Sequence, residues 1–129
     1  MDESGKKKIL IADDESSVRS LLRKILRGKY ILFEASNGEE AVDMAQREKP
    51  DIILMDIMMP KLDGVGACNV IKSDPDTKAI PVIMVTARWQ PLDQEYAAEM
   101  GADGYIVKPF DHRELIDKIN EFLMATSSN

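Results

Sequence analysis

Several things are scarce in this 129-residue chain, and each scarcity narrows what the chain can be. A single cysteine, Cys68, leaves no internal disulfide and fits a reducing compartment. Basic residues are outnumbered, 17 against 23 acids for a net charge of -6, which argues against a nucleic-acid-binding face because phosphate contact needs clustered Lys and Arg. Long apolar runs are missing too. After Lys6, Lys7 and Lys8 only Ile9 to Ala12 intervene before two aspartates, too few for a signal peptide or a membrane-inserted helix. A cytoplasmic location is the expectation. There is no internal repeat, low-complexity tract or linker. The expected organisation is one domain over residues 1–129, with its core at about 7–124 between short polar tails. What remains, 44% hydrophobic and 31% charged residues, is the composition of a soluble globular domain long enough to bury a real core.

The chain centres on Ile52-Ile53-Leu54-Met55-Asp56-Ile57-Met58-Met59-Pro60-Lys61-Leu62-Asp63-Gly64. Four apolar residues in a row read as a strand buried on both faces, and they run straight into the carboxylate of Asp56. A charge at the end of a buried strand costs desolvation energy unless something pairs with it. Similar apolar runs occur at Lys8–Ala12, ending at Asp13-Asp14, and at Ile80–Val85, ending at Thr86-Ala87. Strand formers also fill Tyr30–Phe33 and Tyr105–Val107, the latter closed by Lys108-Pro109. Between the strands, apolar residues recur at helical spacing. Val18, Leu21, Leu22, Ile25 and Leu26 mark the first helix, stopped by Gly28. A capping box at Ser36-Asn37-Gly38-Glu39 starts the second, faced by Ala41, Val42 and Ala45 and ended by Pro50. Val65, Cys68 and Ile71 mark the third, inside which Gly66 is unexplained. Pro91 opens the fourth, with Leu92, Tyr96, Ala97 and Met100 inward. Asp111 and Glu114 cap the fifth, with Leu115, Ile116, Ile119, Phe122 and Leu123 as its buried stripe. The ends, Met1 to Gly5 and Ala125 to Asn129, are expected to be disordered.

Five strands alternating with five helices predict an α/β fold with a parallel sheet covered on both faces. Right-handed crossovers make it doubly wound and flavodoxin-like, with strand order 2-1-3-4-5. Ligands in such sheets sit beyond the carboxyl ends of the strands, where the order reverses. The residues there are Asp13, Asp14, Asp56, Thr86 and Lys108. Clustered carboxylates raise one another's pKa unless a cation sits among them, and Mg²⁺ suits a site with few carboxylates. A carboxylate nucleophile, a metal, a hydroxyl and an ammonium are the parts needed to accept a phosphoryl group.

These residues carry a resemblance. Asp13-Asp14, Met55-Asp56 with Met59-Pro60 and Asp63-Gly64, Thr86-Ala87, and Gly101-Ala102-Asp103-Gly104-Tyr105 leading to Lys108-Pro109-Phe110 occur in order, each at a strand end. Over about Lys7 to Met124 the chain resembles the receiver domain of two-component response regulators, of the single-domain chemotaxis or sporulation kind. The resemblance implies a phosphorylated signalling switch rather than an enzyme. Asp56 would accept a phosphoryl group from a histidine kinase or histidine phosphotransfer protein. Asp13, Asp14, Asp56 and the backbone carbonyl of Met58 would hold Mg²⁺, and Thr86 and Lys108 would bind phosphoryl oxygens. Tyr105 would switch with Thr86, presenting the face of the fourth helix, fifth strand and fifth helix to a downstream effector protein. Met58 and Arg88 match positions associated with phosphate lifetime, and an apolar Met58 would limit the attacking water. A cis Lys108-Pro109 bond is also implied.

Plainer readings stand beside these. Asp13 and Asp14 can cap a helix, Tyr105 can be strand packing, and Cys68 a small core residue. Trp89 is either a partner anchor or a ring folded over the core. Arg19, Arg23, Lys24 and Arg27 give the first helix a basic outer face, solvated or docking a partner. His112, the sole histidine, reads as a surface residue and a poor phosphorylation target. Rival functions are a non-phosphorylated receiver-like interaction module, a small enzyme, or the receiver fragment of a longer DNA-binding regulator. A phosphatase would carry a second acid where Met58 stands. A flavin carrier would carry a hydroxyl- and glycine-rich loop where Asp13-Asp14-Glu15 stands.

Overall fold

The computed structural model describes residues 5–127 of the chain, with side chains described to Met124. Five strands, β1 (Lys8–Ala12), β2 (Ile31–Ala35), β3 (Ile52–Met55), β4 (Val82–Thr86) and β5 (Gly104–Val107), alternate with α1 (Ser16–Leu26), α2 (Gly38–Glu48), α3 (Gly64–Ser73), α4 (Pro91–Glu99) and α5 (His112–Ser127). All strand pairs are parallel, in the order β2-β1-β3-β4-β5. The expected 2-1-3-4-5 order is therefore the observed one.

Alternation along the central strands divides the core in two. Leu10, Ile53, Met55 and Met84 pack on one face against Ala41 and Ala45 of α2, Val65, Cys68 and Ile71 of α3 and Ala97 of α4. Ile9, Ile11, Ile52, Leu54, Ile83 and Val85 pack on the other against Leu22 and Leu26 of α1 and Leu115, Ile119 and Leu123 of α5. Strands buried on both sides need uninterrupted apolar runs, which explains why β1 is apolar after Lys8, β3 throughout and β4 up to Thr86. Cys68 is fully buried, and that burial pushes its thiol up to about 11.

The details correct several expectations. Leu21, Leu92 and Tyr96, placed on inner faces by their spacing, are exposed, and α4 buries Ala97 alone. The α2 cap lies one residue later than expected: Asn37 accepts from the Glu40 N–H, and the Glu40 carboxylate accepts from the Ser36 N–H and hydroxyl. β4 starts at Val82, after Pro81, which has no N–H to give the ladder. Trp89 is exposed, which removes the folded-over reading. Ala125 to Ser127, expected to be disordered, continue α5, while the expectations for Met1–Ser4 and for Ser128 and Asn129 fall outside the described residues. Lys108–Pro109 is cis, as the resemblance implies.

Three glycines set the loop after β3. A Cβ at Gly38 would stand 1.9 Å from the Leu62 carbonyl oxygen, and one at Gly64 would stand 2.1 Å from the Asp56 carbonyl oxygen. At Gly66 it would meet Leu62 Cδ1 at 2.8 Å and Asp63 Oδ1 at 3.2 Å, and Asp63 Oδ1 is the oxygen that caps α3. Room for that cap accounts for Gly66. Backbone cannot swing aside as a side-chain tip can, so Gly64→Ala is expected to lower the unfolding free energy by about 3 kcal/mol, read as a fall in the urea midpoint at unchanged slope. A midpoint equal to that of the unsubstituted chain would show that the loop is not built on this contact.

Candidate functional site

The register carries β1 and β3 to a common end, with Ala12 opposite Met55, so Asp13 and Asp56 emerge side by side. The Asp56 N–H still donates to the Ala12 carbonyl at 2.9 Å, which fixes Asp56 to the sheet. Both acids are almost completely buried, Asp13 2% and Asp56 6% exposed, whereas Asp14 is exposed. One carboxylate oxygen from each of Asp13, Asp14 and Asp56 lies within 4.8 Å of the other two.

Lys108 answers the charge. It follows β5, two strands away from β3, and its own N–H donates to the Thr86 carbonyl at 2.8 Å. Its side chain crosses the end of β4 to place Nζ 2.7 Å from Asp13 Oδ2 and 2.9 Å from Asp56 Oδ2. The opposite oxygens are met by backbone: Asp13 Oδ1 accepts from the Glu15 N–H at 2.9 Å and Asp56 Oδ1 from the Met58 N–H at 3.1 Å. Burial raises the Asp13 carboxyl above its usual value, more than the bonds from Lys108 and Glu15 lower it. Burial pulls the Lys108 ammonium the other way, but its hydrogen bonds to Asp13 and Asp56 and the attraction of their charges together raise it. Neither acid caps α1, whose N-cap is Glu15 without a side-chain bond. The helix-cap reading of Asp13 and Asp14 therefore fails.

The remaining residues ring this centre. Thr86 ends β4 fully buried, its hydroxyl accepting from the Arg88 N–H at 3.4 Å. The Tyr105 hydroxyl donates to the Arg88 carbonyl at 2.9 Å, tying β5 to the loop before α4. Met58 and Arg88 are both exposed and, with Asp14 and Asp63, line an open cleft of about 430 Å³. His112 is exposed at the start of α5. The sequence reading missed Arg19, which donates to the Asp13 carbonyl at 2.7 Å rather than lying on a solvated face. No spacing signal marks such a bond, because it runs from a helix to a main-chain atom.

Three oxygen anions converging at an open cleft are the donor set of a hard divalent cation, so the residues present fit Mg²⁺. Chemically the centre offers a carboxylate nucleophile held by a lysine and a main-chain N–H.

Comparison with known proteins agrees with the geometry. Residues 9–120 match the family described as the response regulator receiver domain. A probable transcriptional regulator, ycf27, of Guillardia theta is 43% identical over 128 residues, covering 98% of this chain but 49% of the relative. This chain thus spans about half the length of the curated relatives it matches. A putative response regulator from Chloroflexus aurantiacus superposes with a TM-score of 0.87 at 32% identity, covering 92% of this chain and 98% of its own. The receiver domain of the sensor histidine kinase PA1611 from Pseudomonas aeruginosa, crystallised with a magnesium ion coordinated in the active site cleft, superposes with a TM-score of 0.85 at 29% identity, covering 92% and 98%.

The electrostatics of the cluster predict opposite effects for its members. Lys108→Met, studied in EDTA, leaves buried acids without their cation and is expected to cost about 3 kcal/mol of stability. Asp13→Asn removes one of the repelling charges and is expected to raise the urea midpoint. Loss of stability in both variants would contradict this balance.

Proposed function

Because the chain belongs to the response regulator receiver domain family, we propose that Asp56 is a phosphoacceptor that a histidine kinase or histidine phosphotransfer protein phosphorylates to switch partner binding. The observation that carries this reading is the pairing of Asp56 with Lys108 at 2.9 Å beside two further acids. An Asp56 carboxylate oxygen attacks phosphorus in line, a P–O bond forms, the P–N bond of the phosphohistidine breaks, and the imidazole nitrogen leaves with the electron pair. Met58 N–H and Lys108 Nζ orient the carboxylate for this. Asp13, Asp14, Asp56 and the Met58 backbone carbonyl would hold Mg²⁺, which when bound offsets the charge on the phosphoryl oxygens. Lys108 then binds one of those oxygens and Thr86 another. Thr86 and the Tyr105–Arg88 bond share one loop, so a move of Thr86 toward the phosphoryl group disturbs the Tyr105 anchor. The readout is a change on the face of α4, β5 and α5, where an effector protein binds. Met58, which lines the cleft together with Arg88, shields the acyl phosphate from water.

A second reading concerns what lies beyond this domain. Relatives named as transcriptional regulators are about twice as long as the matched region, so the same switch would control a DNA-binding half in a longer protein.

Acetyl phosphate and Mg²⁺ are expected to give an alkali-labile adduct that Asp56→Asn abolishes, and Met58→Asn is expected to shorten its life. An adduct that survives Asp56→Asn would reject the phosphoacceptor reading, and an equal or longer life in Met58→Asn would reject the shielding. Tyr105→Phe removes only the hydroxyl. It should leave phosphorylation intact while shrinking the phosphate-dependent change in Trp89 emission, and an unchanged signal would reject the switch.

A further inference from the structure

Arg19 of α1 takes no part in the phosphoryl chemistry, yet it touches the acidic centre from behind. Its side chain is 20% exposed, and the guanidinium serves two acceptors. Nη1 donates to the Asp13 carbonyl at 2.7 Å, while Nε donates to Glu34 Oε1 on β2 at 3.1 Å. The Asp13 carbonyl belongs to the peptide group that begins Asp14, so its direction sets where Asp14 leaves the strand. The flanking main chain is also held, by the Asp13 N–H on the Ala35 carbonyl at 3.0 Å and the Glu15 N–H on Asp13 Oδ1 at 2.9 Å. No side-chain cap steadies the start of α1. Among the described residues, Arg19 is the one whose side chain ties the Asp13–Asp14 peptide to the sheet.

We propose that Arg19 is a positioning residue for divalent-cation binding: by bridging the Asp13 carbonyl to Glu34 it holds the peptide plane from which the Asp13 and Asp14 carboxylates converge. A planar guanidinium delivers two N–H groups at a fixed angle to two acceptors, which a lysine ammonium cannot match. Partners that orient ligands from behind commonly set metal affinity. This rests on the reading of the acid cluster as a Mg²⁺ site.

The test is calorimetric titration of the full chain with Mg²⁺, with urea unfolding run in parallel. Arg19→Ala is expected to weaken Mg²⁺ binding about tenfold, and Arg19→Lys by less. Arg23→Ala is the control, because Arg23 pairs with the same Glu34 but with Ser20 in place of the Asp13 carbonyl. It should leave Mg²⁺ affinity within about twofold of the unsubstituted chain, since no ligand is reoriented. Should Arg19→Ala fail to fold, Arg19→Lys carries the comparison. Unchanged affinity in the Arg19 variants, or equal weakening in Arg23→Ala, overturns the inference. Failure of the unsubstituted chain to bind Mg²⁺ overturns the metal reading itself, and is seen before any variant is made.

Discussion

Two buried carboxylates at the end of a parallel sheet repel each other, and one lysine from two strands away holds them together. Asp13 and Asp56 are nearly inaccessible to water, so solvent cannot screen their charges. Lys108 bonds both. That contact requires β1 and β3 to be neighbours, β5 to be close enough for a long side chain to reach across β4, and all three to end at one level. The order β2-β1-β3-β4-β5 meets these conditions. On the proposed reading the same charge balance would make the site responsive, because one added phosphoryl group exceeds what a single ammonium offsets.

The loop after β3 gives the acids their geometry. Gly64 lets α3 begin directly against the Asp56 carbonyl, and Gly38 lets α2 begin against the Leu62 carbonyl. Between them the Met58 N–H turns back onto Asp56 Oδ1. Behind the site, Arg19 and Glu34 brace the first acid loop against β2. The centre is thus supported by main-chain contacts as much as by side chains.

Much of this was legible in the sequence, for identifiable reasons. Fully buried strands require apolar runs, so β1, β3 and β4 stood out, and the carboxylates closing the first two of these runs drew attention to themselves. Asp13, Asp56 and Lys108 meet as expected because strand order alone brings them together. Other features were not legible. Leu92 and Tyr96 have helical spacing but face outward, since the small Ala97 is the one residue α4 buries. The exposure of Trp89, beside them in sequence, leaves the start of α4 with an apolar surface. The bond from Arg19 to a main-chain oxygen leaves no mark on residue pattern, and the clearance at Gly66 depends on where Asp63 points.

The central claim is that Asp56 itself takes the phosphoryl group. Borohydride reduces an acyl phosphate on aspartate to homoserine, so protein treated with acetyl phosphate and Mg²⁺, reduced and digested can be read by peptide mass spectrometry. The account predicts homoserine at position 56. Homoserine at position 13 or 14 instead, or at no position in a protein that carries label, would contradict it.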